Sequence, residues 1–227
     1  MKLVVVIPAL NEEKTIGEVI AQIPRRIEGV SEIETVVVDD GSTDQTGLVA
    51  QKNGALVFRH PINLGVGAAT TTGLKAARRL GAGAAVTLDG DGQHNPAEIP
   101  LLIQPLLQNK ADLVIGSRFL NSSTQIPLLK KIGNHFFNHF TAFLYGVRSS
   151  DTQSGFKAFS KNALIFLEPK THGYEICSEI LAEATDHHLR IKEVPISVIY
   201  NHYTKTKGQS PLNGINILLK LILRNLV

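Results

Sequence analysis

A single cysteine, a single methionine and no tryptophan occur among the 227 residues. With only Cys177 available, an intrachain disulfide and any multi-cysteine zinc site are excluded, and that side chain is expected to be a small core residue in a reducing compartment. No apolar stretch approaches the roughly 20 residues that a membrane-spanning helix needs. The first apolar run is broken by Pro8 and followed by Glu12 and Glu13, which is wrong for a secretory signal. A cytoplasmic protein is therefore expected, with any membrane contact peripheral. Charge of one sign is scarce too: 23 Lys and Arg against 20 Asp and Glu leave a net charge of +3 without a long basic run. That balance gives little support to a nucleic-acid partner and suits small anionic ligands as well. The eight histidines are scattered, with no HExxH pair.

What is present is alternation. Leu3 to Ile7, Thr35 to Val38, Ala55 to Phe58, Ala84 to Leu88 and Leu113 to Ile115 are short apolar runs. Between them lie helical patterns through Ile16, Val19, Ile20 and Ile23, from Val66 to Leu80, and from Pro96 to Leu107. Ser42 or Thr43 is placed to cap the helix after the second strand. Strands that are apolar on both faces and alternate with helices predict an α/β fold, a mostly parallel sheet flanked by helices. The polar residues cluster just past successive strands, in Pro8 to Glu13, Asp39 to Asp44, Asn63 to Gly67, Asp89 to Gln93, and Gly116-Ser117-Arg118. Such loops share one rim of a parallel sheet, where ligands bind. The glycines at 65 and 67 do not make a dinucleotide fingerprint, because the third glycine position holds Thr70; the turn is either plain or brings a helix amino terminus toward a ligand.

Asp89-Gly90-Asp91-Gly92-Gln93-His94 carries the chemistry. Two carboxylates at the end of a buried strand can share one hard cation, and Mg²⁺ or Mn²⁺ prefers one or two carboxylates together with substrate phosphates. Gly90 and Gly92 leave room for a diphosphate to approach the backbone. A calcium loop of the EF-hand type fails, since His94 and Pro100 stand where Gly and Glu would be required.

The remainder, 119–227, reads as a single smaller extension on the same domain. A long helix is expected over 126–145, with Phe136, Phe137, Phe140 and Phe143 packed in the core or, as the alternative, forming a lipid-contacting surface. Asp151 to Phe156 is a loop before a short strand, 174–184 a helix and 193–200 a final strand. Lys205 and Lys207 sit in a polar stretch where they either clamp a phosphate or remain solvated. A helix over 215–226 bears a wide apolar stripe, so that 213–227 is expected to meet a bilayer surface, a second copy or the core.

Taken together, Ile7 to Glu13, Val38 to Asp44, Asp89 to His94, Gly116-Ser117-Arg118 and Asp151 to Phe156 resemble the family-2 glycosyltransferases of the GT-A fold, and within them the dolichyl-phosphate or polyprenyl-phosphate mannosyl- and glucosyltransferases. The resemblance runs along essentially the whole chain, with 1–118 as the nucleotide-sugar half and 119–227 as the acceptor half. It implies that Pro8, Ala9, Leu10 and Glu12 line the base and ribose and that Asp39 accepts from a base N–H. It implies that Asp89, Gly90 and Asp91 form the diphosphate site, with Asp89, Asp91 and Gln93 holding the metal. Arg118 would contact phosphate, Lys131 would stand at a basic acceptor position, and Asp151 lies near where enzymes with hydroxyl acceptors place a carboxylate.

The implied reaction is inverting, metal-dependent transfer of mannose or glucose from a GDP- or UDP-hexose to a polyprenyl phosphate. The alternatives are transfer to a sugar hydroxyl or a nucleotide-sugar binding protein without turnover. The sequence departs from the mannosyltransferase pattern after Val194-Pro195-Ile196-Ser197. Asn201 and Gly208-Gln209-Ser210-Pro211 stand where an arginine and a G-x-S-K are usual.

Overall fold

The computed structural model describes residues 1–120 and 128–199. In chain order the elements are β1 (Lys2–Ala9), α1 (Ile16–Ala21), β2 (Glu32–Asp39), α2 (Thr46–Lys52), β3 (Leu56–Arg59), α3 (Val66–Arg79) and β4 (Ala84–Thr87). A 3-10 turn, Pro96–Glu98, then leads into α4 (Ile99–Leu107), followed by β5 (Leu113–Ser117), α5 (Leu128–Tyr145), β6 (Lys157–Ser160), α6 (Lys161–Phe166), α7 (Ile176–Asp186) and β7 (Ile191–Pro195). The strands form one sheet in the order β3-β2-β1-β4-β6-β5-β7. All neighbours are parallel except β6, which runs antiparallel to both β4 and β5.

The apolar strands are apolar because both faces are covered. Leu3, Val5 and Ile7 pack with Ile16, Val19, Ile99 and Leu102 on one side, while Val4, Val6 and Val38 meet Ala69, Leu74 and Ala77 on the other. The small residues of α3 have a steric cause. A Cβ on Gly73 would lie 2.1 Å from Val6 Cγ1, so that this helix rests directly on β1.

Several expectations change. The final strand begins at Ile191 and ends at Pro195, upstream of the predicted 193–200, because β5 fixes its register by pairing Leu113 with Ile191. α6 was not expected; Ser160 starts it by accepting from the Ala163 N–H at 3.2 Å. Neither Ser42 nor Thr43 caps α2, which begins at Thr46. Their polar groups are instead used to join loops, with the Asn11 N–H donating to Ser42 Oγ and the Thr43 N–H donating to Asn11 Oδ1.

Two phenylalanines of the long helix face outward rather than into the core, Phe140 is half-buried, and the side chain of Phe137 lies outside the described residues. Phe136 is 55% exposed and Phe143 86% exposed, whereas Asn134 and Thr141 are buried. Among the described side chains, those turned inward include polar ones because they have polar neighbours: Asn134 and Asn138 donate to the Ser150 carbonyl, and Thr141 meets Ser178 of α7. Lys205, Lys207 and the predicted helix over 215–226 lie outside the described residues, as does the side chain of Lys131 on α5.

Asp112, just before β5, accepts from the backbone N–H, Nε and Nη2 of Arg190, just before β7, at 3.0, 2.8 and 3.1 Å. These hydrogen bonds hold its carboxyl below the usual carboxylate range. A depressed acid stabilises the fold above its unfolded pKa and loses that contribution as pH falls through the folded value. Asp112→Asn is therefore expected to cost roughly 1–2 kcal/mol near neutral pH, discounted for the exposure of Arg190, and to flatten the acid limb below about pH 4. Thermal unfolding of both proteins from pH 3 to 7 measures this.

Candidate active site

The loops after β1 and β2 are tied to one another before they reach any ligand. The Glu12 N–H donates to Thr46 Oγ1 at 2.8 Å, the Glu13 N–H to Asp44, and the Gln45 N–H to Glu13. Thr15 Oγ1 then links this pair of loops to the one after β4 by donating to the Gly90 carbonyl at 2.8 Å, and it also lies 3.0 Å from Glu12 Oε2. Three of the predicted loops therefore meet at one rim. Pro8, Ala9, Glu12 and Gly90 are buried there, with Leu10 half-buried.

Asp89 stands between these loops and the turn before β6. A Cβ added to Gly155 would fall 2.8 Å from Asp89 Oδ1 and 2.9 Å from Oδ2, so glycine is what lets the backbone form a wall against the carboxylate. Thr87 Oγ1 donates to the Gly155 carbonyl at 2.7 Å, and the buried Lys157 Nζ donates to the Ser154 carbonyl, fixing the wall from β4 and β6. The Asp89 side chain keeps 41% of its surface open, into the concave rim. The part packed against this wall is desolvated, which pushes its carboxyl up despite the open remainder, opposed by the charges of Arg118 and Lys157 and reinforced by Glu12.

Asp91 is pushed up as well, first by burial and then by the charge of Asp89. Gln93 works in the opposite direction, its backbone N–H donating to Asp91 Oδ1 at 2.9 Å and its Nε2 to Oδ2 at 2.6 Å. Gln93 thus orients Asp91 through its amide nitrogen. His94 is buried against Phe156, with ring centroids 5.2 Å apart, and burial pushes its pKa down to about 4. The neutral ring accepts a long hydrogen bond, 3.4 Å, from the Asp89 N–H at Nδ1.

Arg118 follows β5 and is gripped by Asp151. Its Nε and Nη2 donate to the two carboxylate oxygens at 2.6 and 2.7 Å, and its backbone N–H adds a third bond at 3.1 Å. A bidentate pair of this kind fixes the plane of the guanidinium. Asp151 has no exposed surface, so its carboxylate serves Arg118.

Asp39 Oδ1 accepts from the Ser42 N–H at 2.8 Å, while its buried Oδ2 accepts no hydrogen bond, lies 3.6 Å from Arg59 Nε and would be 2.8 Å from a Cβ on Gly47. Its neighbour Asp40 accepts from the Leu64 and Gly65 N–H groups and from His60, shaping the loop before α3. Of the two readings of the turn at Gly65 and Gly67, the plain one holds. The amino terminus of α3 is occupied by protein: the Gly67 N–H donates to the His172 carbonyl at 2.7 Å. Thr15, Thr87, Gly155 and Lys157 were not singled out from the sequence. Only Lys157 carried a signal, a charge inside the apolar strand Phe156-Lys157-Ala158-Phe159.

The family model described as "Glycosyl transferase family 2" matches residues 4–166. The chain is 37% identical over 96% of its length, and 94% of the relative's, to the UDP-N-acetylglucosamine–dolichyl-phosphate N-acetylglucosaminyltransferase of Methanococcus voltae. It is 31% identical over 96% of its length, and 61% of the relative's, to the dolichol-phosphate mannosyltransferase of Pyrococcus furiosus. Among solved structures, glucosyl-3-phosphoglycerate synthase from Mycobacterium tuberculosis, in complex with Mn²⁺, UDP and glucosyl-3-phosphoglycerate, is similar with a TM-score of 0.74 and 27% identity over 97% of this chain and 77% of that one. The loops that converge on Asp89 and Asp91 are thus the rim of a GT-A sheet, and the chain belongs to glycosyl transferase family 2.

Proposed function

We propose that the protein transfers a single sugar from a nucleoside diphosphate sugar to a polyprenyl phosphate. The observation that carries this reading is the state of the carboxylates around Asp89 and Asp91. Among the described residues of the rim, Asp151 holds Arg118, Asp40 holds a loop, Glu12 is bonded by Thr15, and Asp39, held by the Ser42 N–H through one oxygen, keeps its other oxygen for the nucleoside base rather than for an acceptor. A hydroxyl acceptor needs a base to take its proton, whereas a phosphate monoester, with a second pKa near 6, is already largely ionised at neutral pH. The site offers a fixed cation, Arg118, in place of a base.

In this reading a phosphate oxygen bound by Arg118 attacks the anomeric carbon from the face opposite the leaving group. The bond from that carbon to the donor diphosphate breaks and the configuration inverts. Asp89 and Asp91 fit a hard divalent cation: their donors are oxygens, burial raises both carboxyls, and the charge of Asp89 raises Asp91 further. Mg²⁺ or Mn²⁺ held there would offset charge on the departing diphosphate. Gln93 would orient Asp91, and the wall at Gly155 would hold Asp89. Pro8, Ala9, Leu10, Glu12 and Asp39 are proposed for the nucleoside, with a UDP-linked hexose or N-acetylhexosamine as donor and a GDP-linked sugar as the alternative.

A lipid acceptor is favoured by the outward face of α5. Phe136 and Phe140 stack with centroids 6.2 Å apart, Phe143 continues the stripe, and no acidic residue occurs from 126 to 149. An aromatic stripe without negative charge suits peripheral contact with an anionic bilayer. Between this helix and the segment after β5 lies a hollow of about 610 Å³ lined by Phe119, Asn134, His135, Asn138 and Ser150, next to Arg118 in sequence. The likeness to glucosyl-3-phosphoglycerate synthase favours a second reading, a small water-soluble phosphorylated acceptor.

Incubation with UDP-glucose, UDP-N-acetylglucosamine or GDP-mannose, Mn²⁺, and either farnesyl phosphate or 3-phosphoglycerate separates the two. An organic-extractable glycosylated prenyl phosphate is expected, and product formed only in water would overturn the lipid reading. Asp91→Asn is expected to reduce turnover by roughly a hundredfold or more. The same substitution should raise the melting temperature of the metal-free protein, because a buried like-charge repulsion is removed, and abolish its stabilisation by Mn²⁺ with UDP. In flotation with vesicles containing 30% phosphatidylglycerol, a composition chosen here as about a third anionic lipid, the wild type is expected to float. Phe136→Ser combined with Phe143→Ser should leave most of the protein behind.

A further inference from the structure

Arg118 is aimed by a chain of contacts that begins on the last described strand. Glu193 of β7 stands opposite Ile115 of β5, and its carboxylate takes three hydrogen bonds from two consecutive serines. Ser149 Oγ donates to Oε1 at 2.6 Å, the Ser150 N–H donates to Oε1 at 2.8 Å, and Ser150 Oγ donates to Oε2 at 2.7 Å. Ser150 Oγ also lies 2.6 Å from Ser117 Oγ, on the residue preceding Arg118, and Ser117 Oγ accepts from the Phe119 N–H at 3.2 Å. Ser149 Oγ accepts from the Asp151 N–H at 3.1 Å, and Asp151 grips Arg118.

We propose that Glu193 is a positioning residue for Arg118, acting through Ser149, Ser150 and Asp151 to hold the guanidinium toward an acceptor phosphate; this rests on the reading of Arg118 given above. The carboxylate is suited to the task because it only accepts, and three donors converge on it. An amide at the same place keeps one accepting oxygen and turns an N–H₂ toward a serine group that must then reverse or lose its bond. The serine pair would shift, Asp151 would follow through its backbone, and the bidentate geometry at Arg118 would be lost. Charge-assisted bonds that fix a planar group are the kind whose loss shows as misorientation. No hydrogen bond in this chain of contacts reaches Asp89 or Asp91, and Glu193→Gln keeps the Arg118 charge that acts on Asp89, so the donor side should be insensitive to that substitution.

The test compares wild type, Glu193→Gln, Arg118→Ala and the double variant, with farnesyl phosphate as probe. Binding of farnesyl phosphate is measured by calorimetry in the presence of Mn²⁺ and UDP, and UDP binding with Mn²⁺ is followed separately by thermal shift. Glu193→Gln is expected to weaken farnesyl phosphate roughly tenfold while leaving the Mn²⁺ and UDP response unchanged. In the Arg118→Ala background the same substitution should have no further effect on the probe, a non-additivity that a merely structural residue would not produce. Unchanged probe binding in Glu193→Gln, or additive losses in the double variant, would overturn the positioning role alone. A wild type that binds Mn²⁺ and UDP and takes no farnesyl phosphate would overturn the acceptor reading, and this inference with it.

Discussion

Two carboxylates of like charge are held in a shielded rim, and the rest of the site is arranged around keeping them there. Burial raises Asp89 and Asp91, each further disfavoured by acidic neighbours, and an unsupported loop would relieve this by turning one of them outward. Here Asp89 is stopped by backbone at Gly155, Asp91 is held by both nitrogens of Gln93, and Thr15 fastens Gly90 between them. In the proposed reading, the local cost to the fold is what a divalent cation and a diphosphate would relieve on binding.

The reversed strand makes this possible. Because β6 runs antiparallel between β4 and β5, the segment entering it arrives at the same rim where β4 and β5 end. An all-parallel strand in that position would have delivered Asp151 and Gly155 to the opposite edge. One short loop thereby serves both halves of the site, with Gly155 against Asp89 and Asp151 on Arg118. Lys157, buried just beyond, secures the loop from below through Ser154.

The parallel sheet, the rim and the acidic motif were legible in the sequence because each is written in a local pattern: apolar runs of strand length, polar residues just past them, two aspartates around one glycine. The errors have physical reasons too. Phe136 and Phe143 of α5 were read as core because a helical stripe does not say what faces it; among the described side chains, Asn134, Asn138 and Thr141 turn inward, and their partners come from a distant loop and another helix. Ser42 and Thr43 have the composition of a helix cap, yet the neighbouring loop after β1 takes them first. Gln93 and Asp151 were placed at the site by resemblance, and the contacts give each a holding role that resemblance does not describe.

By itself, the sequence determined which segments are strands, which loops carry charge and that two aspartates end a buried strand, since hydrophobic period and turn chemistry act over a few neighbouring residues. Only the tertiary structure decided what those charges meet. The bond from Thr87 to Gly155 spans 68 residues, and the pairing of Arg118 with Asp151 spans 33. Contacts at such separation depend on strand order and direction, which the periodicity of a single segment does not encode.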